Sequence, residues 1–528
     1  MKKKNIFKIL SWIVVIVLLI KLFTVVLAEP LVKKKIIAEL NEKIRDYTFG
    51  IEKVRISLIR SGIELDSITI CSNKENGAEK SLIGKISSIK LRGIRIVKAI
   101  FKKDIRIREL IISKSSLKGR IPFPGKAMPP VIAPVNIRIG SLLFNRTDLN
   151  IQSTSTAQSF KVIEGNLKVS GLLVEKHDTL SPDIVKQFDF EAKELASVSA
   201  DSMYTFTGMG IICSADANTL TADKLNIQPN YKDYDFTSRY KFQTNRFDAG
   251  FSNIFIQGFK ALDFFRTGSL ISSYIEIGKL DLKIFRDKRK EFRHVKKPAF
   301  QDMIYNYPGQ IRIDSIGLLN GNIVFTVHAD KANEPGQISF NKISAGIYKI
   351  TNDSIYKTKS GYLELRGNAL LMGKGRVNVF LKGRIFDNNN TFSLNGTLSD
   401  MDADELNPIL EKNAFIYATS GKIDKMNFSF TANNNKSTGK MTLLYHGLDI
   451  TIKNKHTDDT TALREKLISF FANEKIIYSN PMPGKEVREG TIDYERDPER
   501  FLFSYCFKSI LSGIKSSLIK SPKNRSNQ

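Results

Sequence analysis

The chain has 528 residues, of which 42% are hydrophobic and 10% aromatic. This composition excludes an intrinsically disordered protein. The length exceeds one ordinary globular core, which predicts several units or a sheet that grows in one direction. The net charge is +27, but the basic residues are spread along the chain and form no RNA-binding signature. We therefore expect no nucleic-acid partner, and an anionic membrane surface explains the charge better.

Residues 1–30 are predicted to form an N-terminal transmembrane anchor. An apolar run from Ile9 to Ala28, interrupted only by Lys21, follows a cluster of lysines. About 20 apolar residues cross a bilayer, and the lysines place the N-terminus in the cytoplasm. The alternative is a signal peptide cleaved after Ala28, and both interpretations predict export. The anchor interpretation rests on Trp12, Val15, Leu18, Leu19 and Phe23.

The rest of the chain has mainly the period-two pattern of half-exposed antiparallel strands. Residues 31–120 begin with a short amphipathic helix over 31–46 and continue with the first strands. A proline-rich linker is predicted over 121–135, and a central β region over 136–300. Turns are predicted at Asn320-Gly321, at Asn395-Gly396 and at Asn433–Asn435. We expect about two dozen strands on pattern alone, and a disordered tail over 521–528.

Helices are predicted near the C-terminus, within a region that spans residues 301–520. Residues 463–477 have helical character, and Asp497 and Pro498 are suited to begin another helix. That helix either packs on its own sheet or touches a membrane or lipid. Its predicted apolar face consists of Leu502, Phe503, Cys506, Phe507, Ile510, Leu511 and Ile514.

No catalytic or metal-binding motif is present in the sequence. The five histidines are scattered, and the three cysteines are too far apart for a zinc or disulfide pattern, so burial is expected for each cysteine. Phosphate-binding loops, nucleophile elbows and metalloprotease motifs are missing. We therefore expect no catalytic residues, no metal and no cofactor. An undetected hydrolase is the enzymatic alternative.

The run IRIDSIGLLNGNIVF from Ile311 to Phe325 and four other segments of the chain resemble AsmA-like proteins of Bacteroidetes type, members of the AsmA/TamB superfamily. The resemblance covers most of the exported part, and Ile311–Phe325 is similar to the family's recurring element of strand, turn and return strand. It implies an inner-membrane anchor, a periplasmic body and a long, curved antiparallel sheet with an apolar groove, related to bridge-like lipid-transfer proteins. The other segments that carry it are Leu225–Gly258, Leu280–Asp287, Ser420–Ile450 and Gly490–Leu518.

We therefore expect a mostly β protein with few short helices, anchored in the inner membrane. Its expected function is to bind or conduct phospholipid along an apolar β-groove, for homeostasis of the cell envelope and biogenesis of the outer membrane. An outer-membrane or periplasmic protein is a further expected partner. The alternatives are an assembly factor for outer-membrane proteins or envelope polymers, whose sheet edge binds client strands, and a structural module of closed β-sandwiches. The candidate groove residues are Val377, Val379, Leu381, Phe428 and Phe430.

Overall fold

The computed structural model describes residues 24–57, 61–73, 81–94, 104–121, 136–174, 185–356, 362–414, 416–452 and 477–518. Strands dominate these residues and the helices are few, so the mostly β fold class is confirmed. The chain divides into two compact units, residues 1–223 (unit 1) and residues 224–528 (unit 2). The division falls inside the strand Thr219–Pro229.

Nineteen strands lie in the described part of the chain, fewer than the two dozen expected from pattern. In chain order they are β1 (Tyr47–Ser57), β2 (Gly62–Ser72), β3 (Ser81–Arg92), β4 (Asp104–Ile121), β5 (Asn136–Ser153), β6 (Ser159–Val174), β7 (Gln187–Val198), β8 (Tyr204–Ser214), β9 (Thr219–Pro229), β10 (Asn245–Gln257), β11 (Leu270–Asp287), β12 (Ile311–His328), β13 (Gly336–Thr351), β14 (Tyr362–Leu371), β15 (Gly375–Arg384), β16 (Phe392–Asp402), β17 (Ile416–Ala432), β18 (Lys436–Ile452) and β19 (Glu489–Glu495).

Short helices connect or cover the strands. A π-helical turn (Thr24–Ala28) precedes the first α-helix, and 3₁₀ turns occupy Ser354–Tyr356 and Ala403–Leu406. The α-helices are α1 (Glu29–Lys43), α2 (Asp233–Ser238), α3 (Ala261–Thr267), α4 (Phe300–Tyr305), α5 (Asn407–Ala414) and α6 (Leu502–Leu518).

Within each unit, consecutive strands pair with one another. In unit 1 the strands β1 to β8 pair in chain order, and in unit 2 the strands β10 to β19 do so. The pairs are antiparallel except for β4 with β5 and β11 with β12, so the expectation of a purely antiparallel sheet is wrong at two places. A parallel pair needs a long crossover connection, which residues 288–310 supply between β11 and β12.

Each parallel pair joins strands that a long connection separates in the sequence. The strands on the two sides of the linker at 121–135 pair with each other, as do those on the two sides of residue 300. Each parallel pair belongs to a triplet that occurs once per unit. Strands of 18, 18 and 16 residues follow one another in both cases, first β4–β6 and then β11–β13.

Within some strands, a residue with positive φ keeps the apolar side chains on one face of the sheet where the alternation of apolar and polar residues shifts by one position. In β2, Ser67 has φ 50°, and Leu65 and Ile68 on either side of it are both buried in the same cluster. Regular alternation would place residues three apart on opposite faces. A left-handed residue therefore re-aims the side chains that follow it.

Two of the three predicted turns are wrong because they lie inside strands. Asn320-Gly321 falls within β12, where the pairing with β13 is shifted by a bulge, and Asn395-Gly396 falls within β16. The strand–turn–strand element expected at Ile311–Phe325 is thus one continuous strand. The turn at Asn433–Asn435 is confirmed, because the Asn433 Oδ1 accepts hydrogen bonds from the backbone N–H groups of Asn435 and Lys436.

The predicted helices differ in outcome. The helix expected over 31–46 is confirmed as α1. The last helix begins at Leu502, so the start predicted at Asp497 is wrong: the Asp497 carboxylate caps a separate turn by accepting from the backbone N–H of Glu499 at 2.9 Å.

Other predicted segments lie outside the described residues. They are the anchor residues Trp12, Val15, Leu18, Leu19 and Phe23, the proline-rich stretch beyond Ile121, the helix at 463–477 except Ile477, and the tail 521–528. Of the helices in the described ranges, none combines the length and the apolar character needed to cross a bilayer.

Candidate functional site

One face of the unit 2 sheet is apolar across all ten of its strands. Residues that are paired in register lie on the same face of a sheet. One apolar row, which we call row A, consists of Ile256, Ile275, Ile316, Ile347, Leu365, Leu381, Leu394, Phe430, Gly439 and Ile492. The neighbouring row B consists of Ile254, Ile277, Leu318, Ala345, Gly367, Val379, Gly396, Phe428, Met441 and Gly490.

Helix α6 covers one end of both rows. Gly490 and Gly513 allow a close approach, since a Cβ atom on Gly490 would lie 2.6 Å from the Gly513 carbonyl oxygen. The hydroxyls of Ser437 and Ser509 are 2.7 Å apart in this contact. The strand residue Ile492 has an exposed fraction of 0%, so this end of the face is a sealed protein core.

The face of α6 that contacts the sheet combines a stripe of small residues with part of the predicted apolar face. The contact is made by Tyr505, Ser509, Gly513 and Ser517, which are spaced four apart and buried. Phe503 keeps an exposed fraction of 62% and Phe507 one of 49%. The predicted residues that lie against the core are Leu502, Cys506, Ile510 and Ile514, whereas Leu511 is half-buried outside it.

The predicted groove residues lie at the covered end or beside it. Leu381, Phe428 and Phe430 are buried in the core cluster that also contains Tyr505 of α6, so the structure shows these three side chains covered by protein. Val377 and Val379 are half-buried at the margin of that core. The sequence alternation is the same in covered and uncovered strands, which is why pattern alone selected these positions.

The other end of row A is open. All five residues at this end are half-buried, and we call them the open face: Ile256, Ile275, Ile316, Ile347 and Leu365. Ile347 and Leu365 also pack against the margin of the covered core. Burial becomes nearly complete only from Leu381 onward. The same apolar row therefore passes from solvent-accessible strands, β10 to β14, to strands sealed by protein.

Unit 1 has the same arrangement on its own sheet. Helix α1 packs on β1–β3, where Val54 and Leu65 are buried. Strands β4 to β7 continue the row with side chains that are only half-buried. The full row is Val54, Leu65, Ile89, Ile112, Phe144, Leu167, Phe190 and Cys213.

A cavity of about 710 Å³ lies against β11–β15, and members of rows A and B such as Ile316 and Val379 are among its lining residues. Its lining includes Tyr274, Tyr348, Arg366 and Phe380, which alternate along their strands with members of rows A and B. The Arg366 guanidinium lies 5.3 Å from the Phe380 ring centroid and pairs with Glu364 at 3.0 Å. Since its only strong charge is neutralised, this cavity offers weak recognition for an ion.

No catalytic constellation emerges from the described ranges. They contain no group of three or more His, Cys, Asp or Glu side chains able to hold a metal. Burial raises the pKa of Cys213 to about 11 and that of Cys506 to about 12, which keeps both as thiols at neutral pH. Cys71 is exposed, contrary to the burial expected of it. The His328 ring is held by the Tyr234 hydroxyl and the Ala332 carbonyl, both at 2.8 Å.

Comparison with known proteins gives no matching family model and no matching curated protein. Function therefore has to follow from the two apolar faces and their surroundings.

Proposed function

We propose that this protein is a membrane-anchored scaffold that binds phospholipid on the uncovered apolar faces of its sheets and conducts it along a groove. One observation carries the proposal: row A of unit 2 is sealed under α6 at one end and accessible to solvent over β10–β14. A contiguous accessible apolar surface marks a binding site for an apolar partner. The repetition of this arrangement in unit 1 supports the same conclusion.

Energetics favour acyl chains as that partner. Transferring a methylene group to water costs about 0.8 kcal/mol, so a two-chain lipid with about 30 methylenes needs about 24 kcal/mol to leave a membrane unassisted. A surface lined by isoleucine and leucine offsets most of that cost while the polar head group stays hydrated. Because such binding requires no bond to be broken, we propose a non-enzymatic role.

The location is part of the proposal and rests on the sequence. Residues 1–30 anchor the chain in the inner membrane, with the body in the periplasm, as the resemblance to AsmA-like proteins implies. The elongated, curved form of the groove belongs to the proposal as well. The lipid then serves homeostasis of the envelope and the outer membrane, with a periplasmic or outer-membrane protein as a further partner.

Photocrosslinking from the two faces of β11 tests lipid binding. A photoreactive amino acid at Ile275, in the open face, is expected to give adducts with phospholipid when the full chain is irradiated in membranes. The same residue at Glu276 is the matched control, because this neighbour points to the opposite face. Mass spectrometry of the purified adducts identifies the crosslinked molecule.

A third position separates open from sealed parts of row A. A probe at Phe430 is expected to crosslink only within the protein, because α6 and the neighbouring strands bury this side chain. Lipid adducts that are as abundant at Glu276 as at Ile275, or adducts at Ile275 that contain only polypeptide, would count against the proposal. The second result would favour a sealed module or a protein client.

A further inference from the structure

Four cationic side chains gather between the end of β11 and the beginning of α6. They are Arg286, Lys288, Arg500 and Lys508. The crossover segment after β11 brings these elements together within unit 2. The Lys297 backbone N–H donates to the Pro498 carbonyl at 2.8 Å, and the Arg500 guanidinium lies 3.8 Å from the ring centroid of Phe292.

The charges of this cluster are only partly balanced by carboxylates in the described part of the chain, because Asp497 alone pairs with Arg500 and acts on Lys508. Asp497 accepts from Arg500 at 3.4 Å, and Glu499 lies 2.9 Å from His294. Neither carboxylate forms an ion pair with Arg286, Lys288 or Lys508. Gathering like charges without counter-charges is unfavourable unless an anion joins them.

Arg286 also has an unused hydrogen-bond donor. Its Nε atom is buried and has no partner in the structure. Asn245, directly opposite in the register, has a buried Oδ1 that is likewise without a partner. Leaving a buried polar atom unpaired costs about 1–3 kcal/mol. The unpaired Nε–H of Arg286 therefore indicates a position for a hydrogen-bond acceptor, whereas the Asn245 Oδ1, itself an acceptor, contributes no bond to an anion.

The face on which Arg286 lies is otherwise apolar. The neighbouring row consists of Phe247 on β10, Ile284 on β11, Phe325 on β12 and Ile338 on β13. Leu282 and Leu280 follow on the same side of β11, and this run from Arg286 to Leu280 extends for about 20 Å at 3.3 Å per residue. A cation cluster thus stands at the end of an apolar strip.

The surroundings make the cationic forms less favourable than they are in water. Lys288 is exposed at the edge of the cluster, and partial desolvation together with the charges of Arg286, Arg500 and Lys508 lowers its pKa to about 8. Desolvation is also the main cause that lowers the pKa of Arg286 and of Lys508. A bound anion would offset both the desolvation of these cations and the repulsion between them.

We infer that Arg286, Lys288, Arg500 and Lys508 bind the phosphate of an anionic phospholipid whose acyl chains lie along the apolar strip. The inference rests on the proposed lipid-binding function and adds the class of head group. Guanidinium and ammonium groups together are suited to phosphate oxygens. The apolar strip next to the cations favours a lipid phosphate over free inorganic phosphate.

Binding of two lipids with identical acyl chains tests the assignment. The detergent-purified full chain is titrated with fluorescent phosphatidylglycerol and with fluorescent diacylglycerol, which lacks the phosphate. The wild type is expected to bind phosphatidylglycerol several-fold more tightly. The Arg286→Gln/Lys288→Gln variant is expected to lose this preference while its affinity for diacylglycerol stays unchanged. The control variant is Lys279→Gln/Lys283→Gln, which removes the same charge from the opposite face of β11 and should keep the preference.

The possible outcomes distinguish the two levels of the proposal. If Arg286→Gln/Lys288→Gln still prefers phosphatidylglycerol over diacylglycerol, the phosphate site is overturned. If the wild type binds neither lipid, the lipid-binding function itself is overturned. Titration with inorganic phosphate separates the two phosphate sources. Saturable binding of inorganic phosphate, combined with equal affinity for the two lipids, would assign the cluster to a free anion and overturn the head-group assignment.

Lys288 also predicts a pH dependence of stability without lipid. Desolvation and the charges of Arg286, Arg500 and Lys508 lower its pKa to about 8 in the folded chain, against 10.5 ordinarily. Because the side chain is exposed, screening by solvent keeps the resulting effect on stability small. Between these pH values the unfolded state binds more protons, so stability rises with pH. The melting temperature of the wild type is expected to increase from pH 8 to pH 10 relative to that of Lys288→Gln. Parallel melting curves for the two proteins over this range would contradict the desolvated, like-charged environment.

Discussion

Replacing Phe430 with alanine is expected to lower the free energy of unfolding by about 3–5 kcal/mol, as for other large aromatic residues in cores. The exposed fraction of Phe430 is 2%, and its ring centroid lies 6.4 Å from those of Phe392 and of Phe428. The truncation would leave a cavity beneath α6 that these rings cannot fill. Urea denaturation followed by circular dichroism measures the effect.

Phe247→Ala is the matched control for this substitution. Phe247 belongs to the apolar row next to Arg286 and keeps an exposed fraction of 39%, so its loss is expected to cost about 1 kcal/mol or less. Lipid binding should respond in the opposite order, falling in Phe247→Ala and persisting in Phe430→Ala below its melting temperature. If Phe430→Ala abolished lipid binding while remaining as stable as the wild type, Phe430 would line a groove after all.

Gly490→Val is expected to push α6 away from the sheet. A Cβ atom at Gly490 would lie 2.2 Å from the Ser517 Oγ and 2.6 Å from the Gly513 carbonyl oxygen, and the second contact is with backbone that cannot rotate away. Overpacking of this kind costs about 1–3 kcal/mol. We expect a loss near 3 kcal/mol, because lifting the helix also exposes Met441 and Ile492.

Binding of a hydrophobic dye and urea denaturation would detect this displacement together. Gly367→Ala is the control, since a Cβ atom on this strand glycine of row B meets only ordinary contacts at 3.6 Å. It should change neither dye binding nor stability by a measurable amount. Unchanged dye binding in Gly490→Val would mean that α6 does not seal the face.

The alternation of apolar and polar residues was sufficient to predict the fold class and many strands. The alternation failed to predict the structure where the apolar positions of a strand shift by one residue. At Asn320-Gly321 the apolar positions shift by one, which is also what two strands with a turn would produce. The structure instead continues β12 through a bulge. Local sequence does not distinguish these outcomes, because pairing with β11 and β13 decides between them.

The extent of the accessible face was less predictable still. Ile316 and Leu381 are both strand residues of row A, yet only Leu381 is buried. Leu381 belongs to the core cluster against which Phe300 and Ile304 of α4 pack, whereas Ile316 lies outside it. At the far end of the cluster, α6 packs through a stripe of Ser509, Gly513 and Ser517 rather than through its phenylalanines. A four-residue spacing of small side chains was the available signal. The cation cluster could not be predicted because its members come from segments far apart in the chain.

The triplet of strands that occurs in both units has a consequence for how such a chain can change length. Adding or removing a whole triplet would preserve the phase of every remaining strand and alter only the extent of the apolar surface. Deleting one residue within a strand would instead turn the following side chains to the other face. Evolutionary variation in length is therefore expected in whole triplets, with insertions of other sizes confined to loops.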